Sequence, residues 1–357
     1  MAQVLVCKAD YENIEPVVRN ILEVFPLDVS GKRVLLKPNA VGAATPEDGI
    51  TTHPSLVKVL VDVLVKQGAS VLVGDNPEAG GRRPGNREVF LTSGLLDAAG
   101  PNYINLSDDA ARVKTSHPSC PEVVVSRPVL EADILISIPK FKTHRLTGLT
   151  GAIKNSYGFL PGGQKGDLHL VAETPYRFSE FVASIFGLRP PDLVVVDAVV
   201  GMHGDGPDSG EPVHIGKVIA GTDAVAVDRV MAYMMNLSPE WIRTLTYAHE
   251  IGLGELDLDR IDVVGDLLPL QDFRLPPRFL GDDPGVLRLR RERRTGFVTQ
   301  LPVPDRDLCH RCMSCLDRCP VGALEIREGL PLADQDRCTM CFCCKEFCPE
   351  GARVTPE

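Results

Sequence analysis

The sequence of 357 residues lacks the long apolar run that a membrane-spanning helix needs, since no stretch approaches roughly 20 consecutive apolar residues. Its first residues, MAQVLVCKADYENIEP, place acids and a proline where a secretory signal has its apolar segment. We therefore expect a cytoplasmic protein without a membrane partner.

The sequence also lacks an excess of basic residues. Lys and Arg number 38 against 48 Asp and Glu, which gives a formal charge of -10. This balance argues against general binding to nucleic acid. With 44% hydrophobic and 24% charged residues the composition is that of a globular protein, and the length suggests two domains.

Several catalytic and nucleotide-binding motifs are missing. No GxGxxG follows the first predicted strand, and the sequence contains neither GxxxxGK[ST] nor GxSxG. Dinucleotide-binding, P-loop and serine-hydrolase functions therefore receive little support.

Cysteine is scarce in the first 308 residues, which hold only Cys7 and Cys120, whereas nine of the 11 cysteines fall between Cys309 and Cys348. A disulfide framework requires an oxidising compartment, and no export signal is evident. The crowding therefore predicts metal ligation, and Cys7 and Cys120 are expected to be ordinary core or surface thiols.

The clustered cysteines form a duplicated motif. The pattern CxxCxxCxxxCP occurs twice, displaced by 29 positions, at Cys309, Cys312, Cys315 and Cys319 and again at Cys338, Cys341, Cys344 and Cys348. Residues 305–357 resemble the bacterial ferredoxins with two [4Fe-4S] clusters. A zinc site would use four ligands in one or two pairs, so eight in this order favour iron–sulfur clusters.

The ferredoxin resemblance implies which cysteines share a cluster. In that family the last cysteine of each motif binds the other cluster. One cluster would then use Cys309, Cys312, Cys315 and Cys348, and the other Cys338, Cys341, Cys344 and Cys319. Cys343 lies between ligands and is expected to be a small buried thiol. Because protein thiolates occupy every iron, such a domain conducts electrons and the chemistry must occur elsewhere.

In residues 1–268 apolar, β-branched runs alternate with helical patterns, which predicts an α/β domain with a mainly parallel sheet flanked by helices. Predicted strands cover residues 34–37, 70–74, 133–138, 193–196, 217–220 and 261–264. Predicted helices cover residues 14–24, 54–66, 87–99, 224–235 and 239–251, with Thr52 or His53 as the cap of the second. Residues 269–304 form a Pro/Arg-rich linker, and residues 305–357 a small α+β ferredoxin-like domain.

Polar groups follow several predicted strands. The first ends in Lys37-Pro38-Asn39, the second in Asp75-Asn76, the third in Pro139-Lys140 and the fourth in Asp197. Since the carboxyl ends of parallel strands share one edge of a sheet, these groups could line a ligand crevice. The alternative is that polar residues simply meet solvent at strand ends.

The segment Ile138 to Gly163, IPKFKTHRLTGLTGAIKNSYGFLPGG, is a poor helix and a poor strand. It concentrates positive charge at Lys140, Lys142, His144, Arg145 and Lys154, and its glycines permit close backbone approach to a ligand. This combination predicts a pocket for a carboxylate or phosphate, with Thr143 and Asn155 as hydrogen-bond partners. A solvated basic loop is the alternative.

This segment carries a second resemblance. The signature PKxKxH followed by TGxxKNxxGxxPG is similar to that of the domain-of-unknown-function family DUF362, which is often fused to a ferredoxin-like tail. The resemblance spans about residues 1–268 and includes Lys37-Pro38-Asn39, Asp75, Pro139-Lys140, Lys142, His144, Lys154-Asn155, Asp197 and GTDAVAVD at 221–228. It implies fold, architecture and the positions that line the site, while the chemistry of the family is open.

Two other segments admit two interpretations each. The loop after Asp197 holds His203, Asp205, Asp208 and His214 and could be a metal or phosphate loop or a mobile lid. The linker carries Arg288, Arg290, Arg291, Arg293 and Arg294 and could dock acidic surfaces or form a solvated helix. His117, His169 and His249 are isolated and are expected to be structural or surface residues.

The leading hypothesis is an iron–sulfur oxidoreductase in which two [4Fe-4S] clusters relay electrons between a soluble partner protein and an anionic small molecule. Lys140, His144, Lys154, Asp75 and Asp197 are the predicted catalytic residues, with His144 or Lys154 as proton donor. Lys37, Asn39, Lys142, Thr143 and Asn155 are the predicted substrate-binding residues. An electron-transfer or assembly protein that docks a partner, and a non-redox lyase or isomerase with regulatory clusters, are the alternatives. A further flavin or metal and the oligomeric state stay open.

Overall fold

A computed structural model describes residues 1–77, 85–276, 301–319, 321–334, 337–338, 343–346 and 348–354. Most of residues 1–276 form one lobe around a mixed sheet. The strands of this large lobe are β1 (Ala2–Lys8), β2 (Arg33–Pro38), β3 (Ser70–Val73), β4 (Ala110–Lys114), β5 (Glu122–Ser126), β6 (Ile134–Ile138), β7 (Lys140–His144), β8 (Gly148–Thr150), β9 (Leu193–His203), β10 (Glu211–Gly221) and β11 (Ile261–Gly265).

The central sheet has the order β11-β1-β10-β9-β6-β2-β3. Strand β10 runs antiparallel to both β1 and β9, whereas the other neighbours along this order are parallel. Strand β7 continues beyond β6, pairs in parallel with β9 and forms a short antiparallel ladder with β8. The sheet is therefore mixed but mostly parallel, and β4 and β5 form a separate hairpin.

Helices cover both faces of this sheet. They are α1 (Glu15–Val24), α2 (Pro54–Lys66), α3 (Asn86–Thr92), α4 (Leu95–Ala99), α5 (Arg127–Glu131), α6 (Ala152–Asn155), α7 (Gly162–Ala172), α8 (Pro175–Phe186), α9 (Ala224–Met234) and α10 (Arg243–Glu250). Successive residues of β2 point to opposite faces of the sheet. Val34 and Leu36 pack on the face covered by α1 and α2, and Leu35 packs on the face covered by α8 and α9. None of the described helices combines the length and apolar character needed to cross a bilayer.

The predicted strands and helices all occur, with differences that have local causes. Helix α2 has the predicted bounds, and the His53 ring caps it by accepting from the Ser55 N–H. The helix predicted over 87–99 is broken, because Gly94 adopts a left-handed conformation with φ of 71° between α3 and α4. The helix predicted over 239–251 starts with a 3₁₀ turn and becomes α-helical only at Arg243.

Two predictions around the site were wrong. The segment 138–163 is not irregular, since it contains β7, β8 and α6, and the partner of β7 is a strand that lies about 60 residues further along the chain. Strand β9 does not end at Asp197 but continues to His203, because β7 and β10 pair with its second half. Asp197 therefore lies inside the sheet and not at a strand end.

The second lobe, called the tail here, begins after residue 300. It contains β12 (Val303–Pro304) paired with β15 (Arg353–Val354), β13 (Leu324–Arg327) paired with β14 (Leu330–Ala333), and the short helices α11 (Ser314–Asp317) and α12 (Cys343–Glu346). The tail touches the large lobe at Lys345, whose Nζ lies 3.0 Å from Oδ2 of Asp205. The arginine run of the linker lies outside the described residues.

Candidate functional site

The first element of the site is a buried ion pair between neighbouring strands. Lys140 on β7 and Asp197 on β9 are both fully buried, and Nζ lies 2.8 Å from Oδ2. Tyr11 donates to the other carboxylate oxygen at 2.8 Å and accepts from Nζ at 3.1 Å. The His53 N–H donates to Asp197 at 2.8 Å, and the His53 ring stacks on Tyr11 with centroids 3.6 Å apart. Each charge of this pair is thus compensated inside the protein.

A second buried pair joins β2 to the loop after β3. Lys37 Nζ lies 2.6 Å from Oδ1 of Asp75, and both side chains are at most 3% exposed. The ammonium also donates to Asn155 Oδ1 at 3.1 Å, and Asn155 donates to Ser137 Oγ at 3.0 Å. Asp75 accepts from the Ala40 N–H at 2.9 Å. This network fixes the end of α6 against the edge of the sheet.

Lys142 differs from these two lysines. It is fully buried, yet the only acceptor that the structure shows for its Nζ, among the described residues, is the backbone carbonyl of Ile50 at 2.6 Å. Burial lowers the pKa of Lys142 to about 7, and the charges of Asp208, Lys154, Lys140 and Asp75 modify this effect. Because members of both ion pairs act on it, Lys142 lies at the electrostatic centre of the site.

Three buried polar atoms of the site lack hydrogen-bond partners in the described part of the chain, and two of them belong to residues near Lys142. Within the described residues, Asn39 Oδ1, Thr51 Oγ1 and Thr150 Oγ1 have no partner. Thr51 follows Ile50, and Thr150 is the cross-strand partner of Lys142 in the β7–β8 ladder. Since buried polar groups are nearly always satisfied, these atoms mark where a bound molecule or water would be accommodated.

His144 is a neutral imidazole. Its Nδ1 accepts from the N–H groups of Leu146 at 3.1 Å and Thr147 at 3.3 Å, which assigns the ring proton to Nε2. Burial, followed by the charges of Lys154, Arg145 and Lys142, lowers the pKa of His144 well below its ordinary value. The ring can donate a hydrogen bond but does not carry a positive charge at neutral pH.

The loop after β9 is held by Arg145. The guanidinium lies 3.3 Å from Asp205 Oδ1 and 2.8 Å from Asp208 Oδ1, and Thr143 Oγ1 donates to the Gly204 carbonyl at 2.8 Å. Among the described residues of this loop, no three His, Asp or Glu side chains form a metal-ligand group. Arg145 and Thr143 tie the loop to β7.

Helix α6 carries Lys154 and Asn155, and its N-terminus is capped by Asp228, which is distant in sequence. Asp228 accepts from the N–H groups of Ala152 at 2.7 Å and Ile153 at 3.0 Å, and burial raises its pKa to about 7. Lys154 is half-buried, with Nζ 4.6 Å from the centroid of the Tyr157 ring.

Two glycines of this segment are needed for close packing against carboxylates rather than against a ligand. A Cβ at Gly151 would overlap the Asp228 carboxylate, and a Cβ at Gly158 would overlap Asp75 and lie 2.6 Å from Lys37 Nζ.

The structure brings most of the predicted residues together. Lys37, Asn39, Asp75 and Asn155 share one network, Lys140 and Asp197 share another, and Lys142, His144 and Lys154 act on one another electrostatically. The Thr143 side chain is instead directed to the loop after β9.

Sequence reasoning missed Tyr11 and the second role of His53. Tyr11 and Asp197 are 186 positions apart, and no local pattern marks that contact. Asp228 lies in the GTDAVAVD stretch that the family resemblance places in the site, but the sequence did not show that it caps α6.

In the tail, four cysteines converge. Cys309, Cys312, Cys315 and Cys348 line one cavity, together with backbone and side chains of both halves of the repeat. The N–H and hydroxyl of Ser314 lower the pKa of Cys312, which favours the thiolate that binds iron. This donor set fits a [4Fe-4S] cluster.

Equivalent backbone hydrogen bonds join the two halves of the tail. The Asp305 N–H donates to the Ala352 carbonyl and the Asp334 N–H donates to the Ala323 carbonyl, both at 2.7 Å. The Ala323 N–H lies 3.1 Å from Cys319 Sγ, and the Ala352 N–H lies 3.2 Å from Cys348 Sγ. Cys348, the fourth cysteine of the second motif, lines the same cavity as the first three cysteines of the first motif, as an exchange of ligands requires. Cys341 lies outside the described residues, and Cys343 is fully buried.

Comparison with known proteins gives matches in both lobes. Residues 34–233 match the profile of the "Domain of unknown function (DUF362)", and residues 301–349 match that of the "4Fe-4S dicluster domain". The thylakoid-associated protein sll1697 of Synechocystis sp. is 29% identical over 261 residues, which cover 69% of this chain and 80% of that protein.

Among solved structures, the lactate racemase apoprotein from Thermoanaerobacterium thermosaccharolyticum is similar with a TM-score of 0.39 at 13% identity. That match covers 63% of this chain and 54% of the racemase, so the chain spans about half the length of that protein. The match to the first profile covers more than half of the chain. The chain therefore belongs to the DUF362 family and carries a 4Fe-4S dicluster domain in residues 301–349.

Proposed function

We propose that this protein is an iron–sulfur oxidoreductase whose large lobe binds a small anionic substrate beside Lys142 and supplies the proton that accompanies each electron. When bound by Cys309, Cys312, Cys315 and Cys348 and by Cys338, Cys341, Cys344 and Cys319, the clusters supply single electrons. The large lobe supplies binding, orientation and proton transfer.

The contact between tail and large lobe is the observation that carries this proposal. Lys345 follows Cys344 directly, and its Nζ lies 3.0 Å from Asp205 Oδ2. The other oxygen of Asp205 lies 3.3 Å from Nε of Arg145, the neighbour of His144. A short series of side chains thus connects a predicted cluster ligand to the lysine-rich site.

The charge arrangement supports an anionic substrate. Lys37 and Lys140 each have a carboxylate partner, whereas Lys142 makes its only described hydrogen bond to a carbonyl. An anion that displaced the Ile50 carbonyl would give Lys142 the opposite charge that it lacks. The hydroxyl of Thr150, the cross-strand partner of Lys142, would offer it a further donor.

Burial argues against the docking alternative. Lys140 and Lys142 are 0% exposed and Arg145 is 8% exposed, so these residues do not form a surface patch for an acidic partner. The same burial means that a substrate can reach Lys142 only after the residues that cover it have moved.

Proton transfer follows from the environment of Lys142. With a pKa of about 7, this lysine exchanges a proton readily at neutral pH. An anion bound at Nζ would favour the protonated form. Each electron that the substrate accepts would make it more basic, so that the proton passes from Nζ to the reduced substrate and Nζ takes up another proton from water. His144 would orient the substrate through its Nε2–H as a neutral donor.

An anaerobic reoxidation assay tests the proposal. Reduced protein is mixed with a panel of unsaturated carboxylic acids and phosphorylated analogues, and cluster absorbance is followed. We expect at least one compound to reoxidise the protein, and Lys142→Met to slow this reaction at least about 100-fold, within the range that a proton donor contributes. Lys58→Met, at an exposed ion pair on α2, is the control and should react as wild type. Failure of every compound would refute the proposal.

A non-redox lyase or isomerase is the second candidate. Lys142, with its pKa of about 7, could serve as an acid–base group without any electron transfer. Turnover that persists in a folded variant with all eight ligand cysteines replaced would favour this second function.

A further inference from the structure

Arg353 is buried in the tail without a matching anion. It lies on β15 and is 1% exposed. Its Nη1 donates to the Pro302 carbonyl at 2.9 Å. Nε and Nη2 are buried and donate to no oxygen acceptor among the residues that the structure describes, and the guanidinium interacts with the Cys315 thiol through its charge and hydrogen bonding. Because a buried guanidinium with unused donors is unfavourable, its position indicates that it faces a negatively charged group when the tail is loaded.

The cavity that Arg353 lines shows where this negatively charged group would lie. Arg353 lines the same cavity as Cys309, Cys312, Cys315 and Cys348. Burial raises the pKa of Cys315, and the charge of Arg353 acts on this thiol in the opposite direction. The guanidinium and the sulfurs are therefore close enough to interact through a low-dielectric interior.

We propose that Arg353 is a positioning residue that donates to the sulfurs in this cavity and gives the cluster held there a higher reduction potential than the other cluster. A fixed positive charge stabilises the reduced form, which carries one more negative charge than the oxidised form. The inference depends on the dicluster domain but not on the reaction proposed for the large lobe.

The repeat supplies an internal comparison. The offset of 29 positions places Leu324 where the other half has Arg353. The backbone is equivalent at both places, since the N–H of the preceding alanine approaches the sulfur of Cys319 in one half and of Cys348 in the other. The side chain is what differs, so the two halves receive different local charge.

The difference between Arg353 and Leu324 determines which cluster of the tail is reduced first. The first electron would be held in the cavity of Arg353. The second would reach the half that contains Cys344 and contacts the large lobe through Lys345. Arg353 thus makes the half next to the large lobe the stronger reductant.

A redox titration of the full-length, iron-loaded protein, followed by electron paramagnetic resonance, tests this inference. We expect two midpoint potentials in the wild type. Arg353→Leu should lower the higher one by at least about 59 mV, a tenfold change for a one-electron couple, and leave the lower one in place. Leu324→Arg is the matched converse and should raise the lower potential. Unchanged potentials in Arg353→Leu with full iron content would overturn the inference.

A second pair of variants covers the case in which Arg353→Leu does not retain iron. Arg353→Lys keeps the positive charge, and Arg353→Gln keeps only hydrogen-bonding capacity. The higher potential should stay within about 59 mV of wild type in the lysine variant and fall below that range in the glutamine variant. Equal potentials in both variants would show that the charge of Arg353 has no effect.

Discussion

The two lobes of the molecule place their functional groups by opposite means. In the large lobe, contacts between distant parts of the chain assemble the site, as between Lys37 and Asn155, 118 positions apart, and between Tyr11 and Asp197, 186 positions apart. In the tail, the Cys309 N–H bonds to Asp305 only four positions earlier, and a duplicated loop repeats this geometry at Cys338 and Asp334. The first site depends on the whole fold, the second on local spacing.

This difference predicts how each lobe responds to substitution. The large lobe encloses charges, so loss of one partner leaves an uncompensated charge in its interior. The tail encloses thiols whose partner is the cluster, so its substitutions should act on metal content and potential. Four experiments, from the largest expected effect to the smallest, would sharpen or break this comparison.

Removing a charge from the Lys140–Asp197 pair should have the largest effect on stability. Asp197→Asn leaves the ammonium of Lys140 buried without an anion, and the free energy of unfolding should fall by about 3–5 kcal/mol. Urea unfolding provides the measurement. Asp62→Asn, in the exposed pair with Lys58, should lower the free energy of unfolding by less than about 1 kcal/mol. Equal effects of the two substitutions would mean that burial of the pair is unimportant.

Lys142 should make stability depend on pH. Its folded-state pKa of about 7 lies below the unfolded value of about 10.4, so the unfolded chain binds more protons between these values. The free energy of unfolding contributed by Lys142 therefore rises with pH over this window and is constant below it. Between pH 6 and pH 9 the free energy of unfolding of the wild type should rise by about 2–3 kcal/mol relative to that of Lys142→Met, as measured by urea unfolding. A difference between the two proteins that does not vary with pH would show that Lys142 is not titrating there.

Gly158→Ala tests how tightly α6 is packed on the Lys37–Asp75 pair. The added methyl group would overlap the carboxylate of Asp75, and overpacking of this kind should lower the free energy of unfolding by about 1–3 kcal/mol. At Gly42 an added Cβ would meet no atom within 4 Å, so Gly42→Ala should change stability by less than about 0.5 kcal/mol. Thermal unfolding of both variants gives the comparison, and an undisturbed Gly158→Ala protein would contradict the described packing.

The contact between the lobes should have the smallest effect on stability and a larger one on electron transfer. Lys345→Asp introduces repulsion with Asp205, and we expect the free energy of unfolding to fall by about 1 kcal/mol or less. The reoxidation rate should fall at least tenfold if this contact aligns the lobes. Lys345→Arg keeps the positive charge and should react at close to the wild-type rate. Equal losses of rate in Lys345→Asp and Lys345→Arg would show that the ion pair does not align the lobes.

The kind of domain in the tail could be predicted from sequence, whereas the large lobe could be predicted only in outline. The cysteine spacing is local and duplicated, so it identified a 4Fe-4S domain, while the grouping of the eight cysteines stays a prediction from the ferredoxin resemblance. In the large lobe the strands around Lys37 and Asp75 were evident from apolar runs, and polar residues after them indicated the site.

What sequence could not show was tertiary pairing. Strand β7 looks irregular because Lys140, Lys142 and His144 have no place in an ordinary buried strand. Their burial depends on Asp197, Ile50 and the backbone groups of Leu146 and Thr147. The extension of β9 past Asp197 likewise depends on β7 and β10. Sequence also marked Lys142 as a binding residue, but it could not show that burial lowers the pKa of this lysine to about 7.

The most direct test of the central claim is the pH dependence of reoxidation in a single turnover. Reduced wild-type protein and Lys142→Met are mixed anaerobically, between pH 6 and pH 9, with a compound that discharges the wild type. If electrons from the tail meet a proton from Lys142, the wild-type rate falls as pH rises above about 7, because the bound anion favours protonated Lys142, and the variant is slow and independent of pH. The same pH profile in both proteins would contradict the account.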